Sequence, residues 1–244
     1  MESSLVRFGI PLIALVLAAL FVLGVWVSEG KGAAPNVRLR RTALAALGIT
    51  LWLVIAAALA LSGLLARFDL RPPPMALWFA VTLLLPLVLV LSSFGRRMAD
   101  ALPLAALVGF QAFRLPLELV MHRAATDGIM PVVMSYSGYN FDIVSGITAL
   151  VLGIALVRGS VPRAVVLAWN TLGLVLLAVI GAVAFSASPI FLAFGPENVN
   201  LWVTRFPYSW MTIMVASALF GHVLVFRKLL ASSPNVQGFA ARPG

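Results

Sequence analysis

Apolar residues are grouped along the chain in seven long runs that short polar connectors separate. The runs cover residues 8–27, 42–65, 75–94, 102–121, 141–157, 164–185 and 208–226. Each approaches the roughly 20 residues that an α-helix needs to cross about 30 Å of hydrocarbon. None alternates polar and apolar positions as a barrel strand does. The pattern predicts an all-α, polytopic integral membrane protein, with a bundle of seven transmembrane helices in a single domain over residues 1–230.

The connectors contain residues that end helices. Residues 29–41 hold glycines and a proline, and residues 71–74 include three consecutive prolines, which cannot continue a helix. The longest connector, 186–207, contains an apolar piece at 189–194 that predicts a short interfacial helix, with a re-entrant segment as the alternative. Residues 231–244 are predicted to form a short, disordered cytoplasmic tail.

Composition supports lipid as the solvent of this chain. Hydrophobic residues make up 62% and charged residues 10% of the 244 positions, whereas a soluble domain has about 25% charged residues. The net charge of +9 therefore indicates basic connectors at a membrane surface, and no nucleic-acid partner is expected. The expected partners are the lipid bilayer and, in one interpretation, other membrane subunits. Cysteine is absent, which excludes disulfides and cysteine metal ligands.

The distribution of Lys and Arg predicts the orientation. One side of the predicted bundle carries eleven of them and the other side five, with Arg114 inside a helix. The richer side comprises Lys31, Arg38, Arg40, Arg41, Arg96, Arg97, Arg158, Arg163, Arg227, Lys228 and Arg242. Basic residues accumulate in cytoplasmic connectors. We therefore expect the N-terminus outside and the C-terminus in the cytoplasm.

Three ionisable residues lie at helical spacing in the fourth run. Arg114, Glu118 and His122 are four positions apart, so they share one helix face that leads from mid-membrane to the outer surface. Pro116 lies between the first two and is expected to kink the helix. Because charged groups are costly in hydrocarbon, these residues are predicted to face the interior of the bundle.

Two further polar residues open the fifth run at the same outer side. Asn140 and Asp142 are predicted to join Arg114, Glu118 and His122 in an outward-opening ligand-binding pocket. In this pocket Arg114 would hold an anion, and Glu118 with His122 would handle protons. Two simpler interpretations stay open. Arg114 and Glu118 form a structural ion pair, or Asn140 caps the fifth helix with Asp142 in its first turn.

A second polar pair is predicted between the last two helices. Asn170 and His222 are expected to form a structural hydrogen bond across the helix interface. Two separated histidines and no cysteine predict no metal site. A retinal Schiff base needs a lysine in the middle of the last helix, but Lys228 is at its end. No cofactor is therefore expected.

Several short stretches resemble a family of bacterial multi-spanning inner-membrane proteins with no established activity. The resemblance lies mainly in the second half of the chain. The stretches are 113–118 (FRLPLE), Pro131, 138–143 (GYNFDI), Gly146, 194–197 (FGPE), 206–208 (FPY) and His222. The resemblance implies a multi-pass protein of the bacterial inner membrane and carries no further implication about chemistry.

Three functional hypotheses fit these observations. The first is binding, sensing or transport of a small polar or amphiphilic molecule in the outward pocket. The second is a structural or assembly subunit of a membrane complex, in which the polar residues fix helix packing. The third is an intramembrane enzyme that uses the same residues as general acid and base on a lipid-like substrate. The first is favoured over the enzyme.

Overall fold

The computed structural model describes residues 3–30 and 34–231, and in these ranges the chain forms helices, turns and loops without a β-strand. The α-helices are α1 Ser4–Ser28, α2 Pro35–Leu61, α3 Pro74–Leu91, α4 Ser93–Ala101, α5 Leu104–Phe110, α6 Arg114–Thr126, α7 Ile143–Arg158, α8 Arg163–Ser186 and α9 Met211–Ala231. The predicted all-α class is confirmed for the described residues. Apart from Ala231, the predicted tail 231–244 lies outside them.

Six helical stretches are long and apolar enough to cross a membrane. They are α1, α2, α3, the stretch Leu104–Thr126 that contains α5 and α6, α8, and Tyr208–Ala231. The fifth apolar run forms α7, which has 16 residues and a length of about 24 Å. The described chain is thus a multi-pass membrane protein with six candidate spans and one shorter apolar helix.

The winding of the helix changes just before Pro116, where the sequence predicts a kink. Pro116 has no N–H to donate to the carbonyl of Ala112, four residues earlier. The chain tightens into a 3-10 turn at Gln111–Phe113 between α5 and α6. Arg114 therefore opens α6, near the middle of the span.

Helix α9 occupies the centre of the bundle. It packs against α1, α3, α4, α5 and α8. Of the residues in its most apolar 18-residue stretch, 56% are buried, against 17–44% in the other five spans. Arg227 near its end donates to the carbonyls of Val90 and Ser92. These contacts mark what we call the Glu29 end of the bundle, because α1 also ends there. At the opposite end, called the Asp127 end, the backbone N–H of Ser3 donates to Asp127 at 2.9 Å.

Helix α7 runs antiparallel to α5 and α6 at very close range. A Cβ on Gly146 would lie 2.4 Å from the backbone nitrogen of Leu115, and one on Gly153 would lie 3.0 Å from the Cα of Gly109. Glycine is therefore needed at Gly146 for the two backbones to approach. The register sets the start of α7 level with Arg114, well inside the bundle.

The segment before α7 is a loop that is partly buried in the bundle. Residues 127–142 fold back into the bundle at the Asp127 end, and Met130, Met134 and Asn140 are buried there. Non-helical backbone is tolerated at membrane depth where protein buries it. The second long connector, 187–207, covers the same end. Its piece 189–194 forms turns instead of the predicted interfacial helix, and Leu192 has a φ of 49°, which a helix does not accommodate.

Candidate functional site

The centre of the site is an ion pair between α6 and the start of α7. Nη1 of Arg114 donates to Oδ1 of Asp142 at 2.7 Å, and the Oγ of Ser145 donates to the same carboxylate oxygen at 3.1 Å. The Arg114 side chain is 1% exposed. Its Nη1 also lies 3.4 Å from the carbonyl oxygen of Gly173, so the pair connects α6, α7 and α8.

Glu118 has a different partner from the one its spacing suggests. The Nδ2 of Asn140 donates to both carboxylate oxygens of Glu118 at 2.9 and 2.8 Å. Arg114 forms its salt bridge with Asp142, so the structural pair postulated between Arg114 and Glu118 is replaced by two contacts to residues 140–142. The physical reason is the loop 127–142, which brings the start of α7 down to the level of Arg114.

The capping interpretation of residues 140–142 also needs correction. The N-cap position of α7 is Asp142, and its side chain makes no capping hydrogen bond. Asn140 lies two residues earlier, where its Oδ1 accepts from the backbone N–H of Asp142 at 3.1 Å. The Asp142 carboxylate is instead engaged by Arg114 and Ser145, since those donors lie inside the protein.

His122 is separate from the other four candidate residues. Its ring stacks on Tyr136 at a centroid distance of 4.2 Å, and its Nδ1 lies 3.1 Å from the Oγ of Ser137. It is half-buried near the Asp127 end and does not line the cavity described below. The structure thus brings together Arg114, Glu118, Asn140 and Asp142.

Asn170 and His222 form a hydrogen-bonded pair between α8 and α9. Nδ1 of His222 lies 2.8 Å from Oδ1 of Asn170, and Nδ2 of Asn170 donates to the backbone carbonyl of His222 at 3.0 Å. The ring lies over Gly173, where a Cβ would be only 2.3 Å from Cε1 of His222. The geometry matches the expected interhelical hydrogen bond.

The four clustered residues form one wall of a cavity of about 200 Å³. The cavity lies beside α9 between α3 and α8, and the rest of its lining is largely apolar. From α8 it is lined by Leu177, Ile180, Gly181, Ala184 and Phe185, and Ser188 lines it from the loop that follows α8. Phe185 and Ile190 are about half exposed and form its rim, so the cavity opens at the outside of the bundle. The loop 187–207 contributes Asn200, Trp202 and Val203.

Several polar atoms of this lining have no hydrogen-bond partner within the part of the chain that the structure describes. They are Nε and Nη2 of Arg114, Nε1 of Trp202, Oγ of Ser188 and Oδ1 of Asn200. Buried polar groups are normally satisfied. Unpaired polar groups on residues that line a mainly apolar cavity are typical of a ligand site. The sequence pattern contains no signal for Ser188, Asn200 and Trp202, because all three come from the long connector.

The charges around the cavity restrict the kind of ligand. Asp142 already neutralises Arg114, and Glu118 adds a second carboxyl group to the same wall. A charged anion would therefore meet at least as much negative as positive charge, which does not favour the anion site expected at Arg114. The remaining donors suit neutral oxygen acceptors such as carbonyl, ester or hydroxyl groups.

No group of three or more His, Asp or Glu side chains arranged to hold a metal ion occurs in residues 3–30 and 34–231. Comparison of the chain with protein-family models, with curated proteins and with solved structures found no match.

Proposed function

We propose that this chain is a membrane protein that binds a neutral, lipid-like molecule in the cavity beside Arg114. The polar part of the ligand carries carbonyl, ester or hydroxyl oxygens. The apolar remainder lies along α8 and extends past Phe185 into the bilayer. Binding of this kind is the first step of sensing or of transport, and the proposal includes no catalysed reaction.

The observation that carries the proposal is the unsatisfied state of Arg114. Its side chain is almost fully buried, lines the cavity, and has two nitrogens without a partner among the described residues. A purely structural arginine would gain stability from satisfying them, since an unpaired buried donor costs about 1–3 kcal/mol. A ligand oxygen supplies the missing acceptor.

The size of the cavity supports a partly enclosed ligand. A volume of about 200 Å³ exceeds the roughly 150 Å³ of a cavity that takes up benzene. It is smaller than the 300–1,000 Å³ or so of a site that encloses a drug-sized molecule. A lipid-like molecule can insert its polar end and leave its chain among the membrane lipids.

We further propose seven crossings, with the N-terminus outside and the C-terminus in the cytoplasm of a bacterium. Helix α7 and the buried loop 127–142 together connect the Asp127 end to the Glu29 end, which supports a fifth pass despite the short helix. The count of eleven basic residues against five supports a cytoplasmic Glu29 end. The cavity then faces the outer leaflet.

The cavity can be filled by one substitution that leaves the fold intact. A Cβ on Gly181 meets no atom within 4 Å, so Gly181→Leu directs its side chain into the cavity. Ala182→Leu is the matched control, because Ala182 is exposed and is absent from the lining. Both variants add apolar volume to the same turn of α8.

Binding is measured by native mass spectrometry on delipidated protein in detergent, with monoolein, oleate and oleylamine as probes. The three share an oleyl chain and differ in head-group charge. We expect monoolein to bind most tightly, and Gly181→Leu to weaken it at least about tenfold, with Ala182→Leu unchanged. Equal binding of the three probes, or wild-type affinity in Gly181→Leu, would contradict the proposal.

A further inference from the structure

A second cavity, of about 500 Å³, lies between α2 and α3 on another side of α9. Helix α2 contributes one face to it, with residues spaced three and four apart. They are Arg41, Leu44, Ala45, Gly48, Ile49 and Trp52. Nearer the Asp127 end, Trp52 and Trp78 close the gap between α2 and α3, with ring centroids 4.9 Å apart. The cavity extends from that contact towards the Glu29 end.

The walls of this cavity are apolar and its sides open towards lipid. Phe21, Phe110 and Phe220 form the inner wall. Leu44 and Leu85 at the rim are 56% and 41% exposed. In a chain that crosses a membrane, exposed leucines of this kind face acyl chains. This cavity is therefore a groove that is continuous with the hydrocarbon, and we call it the groove below. An acyl chain enters such a groove readily, and a water-soluble molecule enters it poorly.

Charged residues are confined to the mouth of the groove at the Glu29 end. Nη1 of Arg41 and Nε of Arg97 donate to the two carboxylate oxygens of Glu29, and the Glu29 side chain is 3% exposed. The arginine side chains are 44% and 38% exposed. Burial alone raises the pKa of the Glu29 carboxyl, but hydrogen bonds and charges from Arg41 and Arg97 together hold that pKa below its ordinary value.

The mouth therefore carries an excess of positive charge. One ionised carboxylate faces two guanidinium groups. Arg38 lies at the same end of the bundle, where its guanidinium is 3.5 Å from the ring centroid of Trp26. Glu29 is the residue after α1 and Arg97 belongs to the short helix α4, so these groups lie where helices end. In a membrane protein this is the level of the lipid headgroups.

We infer that the groove between α2 and α3 binds an anionic phospholipid from the leaflet at the Glu29 end. One acyl chain lies against Gly48 and Phe220, and the phosphate receives hydrogen bonds from Arg41 and Arg97. The site is distinct from the cavity beside Arg114 and does not depend on the function proposed for it. An acyl chain for the apolar groove and a phosphate for the arginine pair occur together in this class of molecule.

The test compares two lipids with identical chains, dioleoyl phosphatidylglycerol and dioleoyl phosphatidylcholine, by native mass spectrometry of delipidated protein in detergent. We expect the wild type to prefer phosphatidylglycerol by about fivefold, as one exposed ion pair allows. Arg41→Gln and Arg97→Gln should each reduce this preference. Arg40→Gln, an exposed arginine of the same helix outside the groove, should retain it.

A larger side chain that fills the groove tests whether the acyl chain binds there. A Cβ on Gly48 meets no atom within 4 Å, so Gly48→Leu fills the groove and should weaken both lipids at least about threefold. Ala43→Leu places the same side chain on the exposed opposite face of α2 and should have no effect. Wild-type binding in Gly48→Leu would overturn the inference. So would full displacement of the lipid by glycerol 3-phosphate, which would indicate a headgroup site without a chain.

One further variant is expected to raise the preference for phosphatidylglycerol, and it keeps the test decisive if the arginine variants fail to fold. Glu29→Gln removes the carboxylate that competes for both guanidinium groups. We expect its preference for phosphatidylglycerol to rise by about threefold. If the salt bridges of Glu29 serve only to hold α1, α2 and α4 together, no gain is expected. An unchanged or weaker preference in a folded Glu29→Gln variant would overturn the inference.

Discussion

Arg114 shows how a single buried charge can be held in a membrane protein while its hydrogen-bonding capacity stays incomplete. Asp142 supplies the counter-charge at 2.7 Å, and breaking such a buried pair costs about 3–5 kcal/mol. Two guanidinium nitrogens nevertheless have no partner among the described residues. In the proposed function, one nitrogen of this side chain serves the ion pair and the other two bind the ligand.

Trp202 allows binding to be separated from stability at the scale of one atom. Its Nε1 has no partner in the described chain, whereas Nε1 of Trp210 donates to the carbonyl of Leu53 at 2.9 Å. We expect Trp202→Phe to keep or raise the melting temperature and to weaken monoolein about fivefold. Trp210→Phe should lose about 1 kcal/mol of stability and keep its affinity. Thermal unfolding and native mass spectrometry measure both.

The opposite result would contradict the ligand site. If Trp202→Phe binds monoolein as the wild type does, its indole N–H is not a ligand donor. His122 supplies a further contrast, because its ring stacks on Tyr136 outside the cavity lining. Its substitution is expected to leave binding unchanged, although its spacing from Glu118 suggested a role.

The residues of the ion-pair cluster were predictable, and their partners were not. Charged residues inside an apolar run must face the interior, so burial of Arg114 and Glu118 follows from hydrophobicity alone. Pairing with Asp142 depends on how deeply the loop 127–142 enters the bundle. That depth results from tertiary packing around Met130 and Met134, which helical spacing does not encode. Trp202 likewise joins the lining of the same cavity only through a long connector.

At the scale of elements, the site depends on how closely α7 approaches α6. Gly146 permits the approach, since a Cβ there would lie 2.4 Å from the backbone nitrogen of Leu115. The same register aligns Asp142 with Arg114. Gly146, which stood out in the sequence only as part of a short motif, is therefore needed for the close packing of α7 against α6.

Gly146→Ala is expected to push α7 away from α6 and weaken the contact of Asp142 with Arg114. Overpacking of this kind costs about 1–3 kcal/mol, and the melting temperature in detergent should fall accordingly. Gly109→Ala is the control on α5, which also packs against α7, because a Cβ there meets no atom within 4 Å. It should be neutral or stabilising by up to about 1 kcal/mol. Equal melting temperatures of the two variants would refute this account of the interface.

At the scale of the whole molecule, the apolar runs predicted the long helices well, since a hydrocarbon-crossing helix needs only length and apolarity. The exception is the fifth run. Its helix begins at Ile143 and has 16 residues, and a buried loop precedes it. Hydrophobicity cannot distinguish a helix from a loop that other helices shield, so the run predicted the helix and not the buried loop before it.

The number of crossings can be tested directly because the chain has no cysteine. Ser137→Cys and Ser160→Cys introduce single exposed thiols before and after α7. In intact cells, a membrane-impermeant maleimide should label Ser137→Cys, and Ser160→Cys should react only after permeabilisation. Labelling of both from one side would show that α7 does not cross. The reversed pattern would keep seven crossings and invert the proposed orientation.

The central position of α9 has a consequence for biogenesis. The eight other helices precede α9 in the chain, yet α1, α3, α4, α5 and α8 all pack against it. During synthesis these helices enter the membrane before residues 211–231 do, and some of them, such as α3 and α4, already contact each other directly. Their contacts with α9 can form only after residues 211–231 are inserted. We therefore expect the part of the packing that depends on α9 to follow the insertion of the earlier helices.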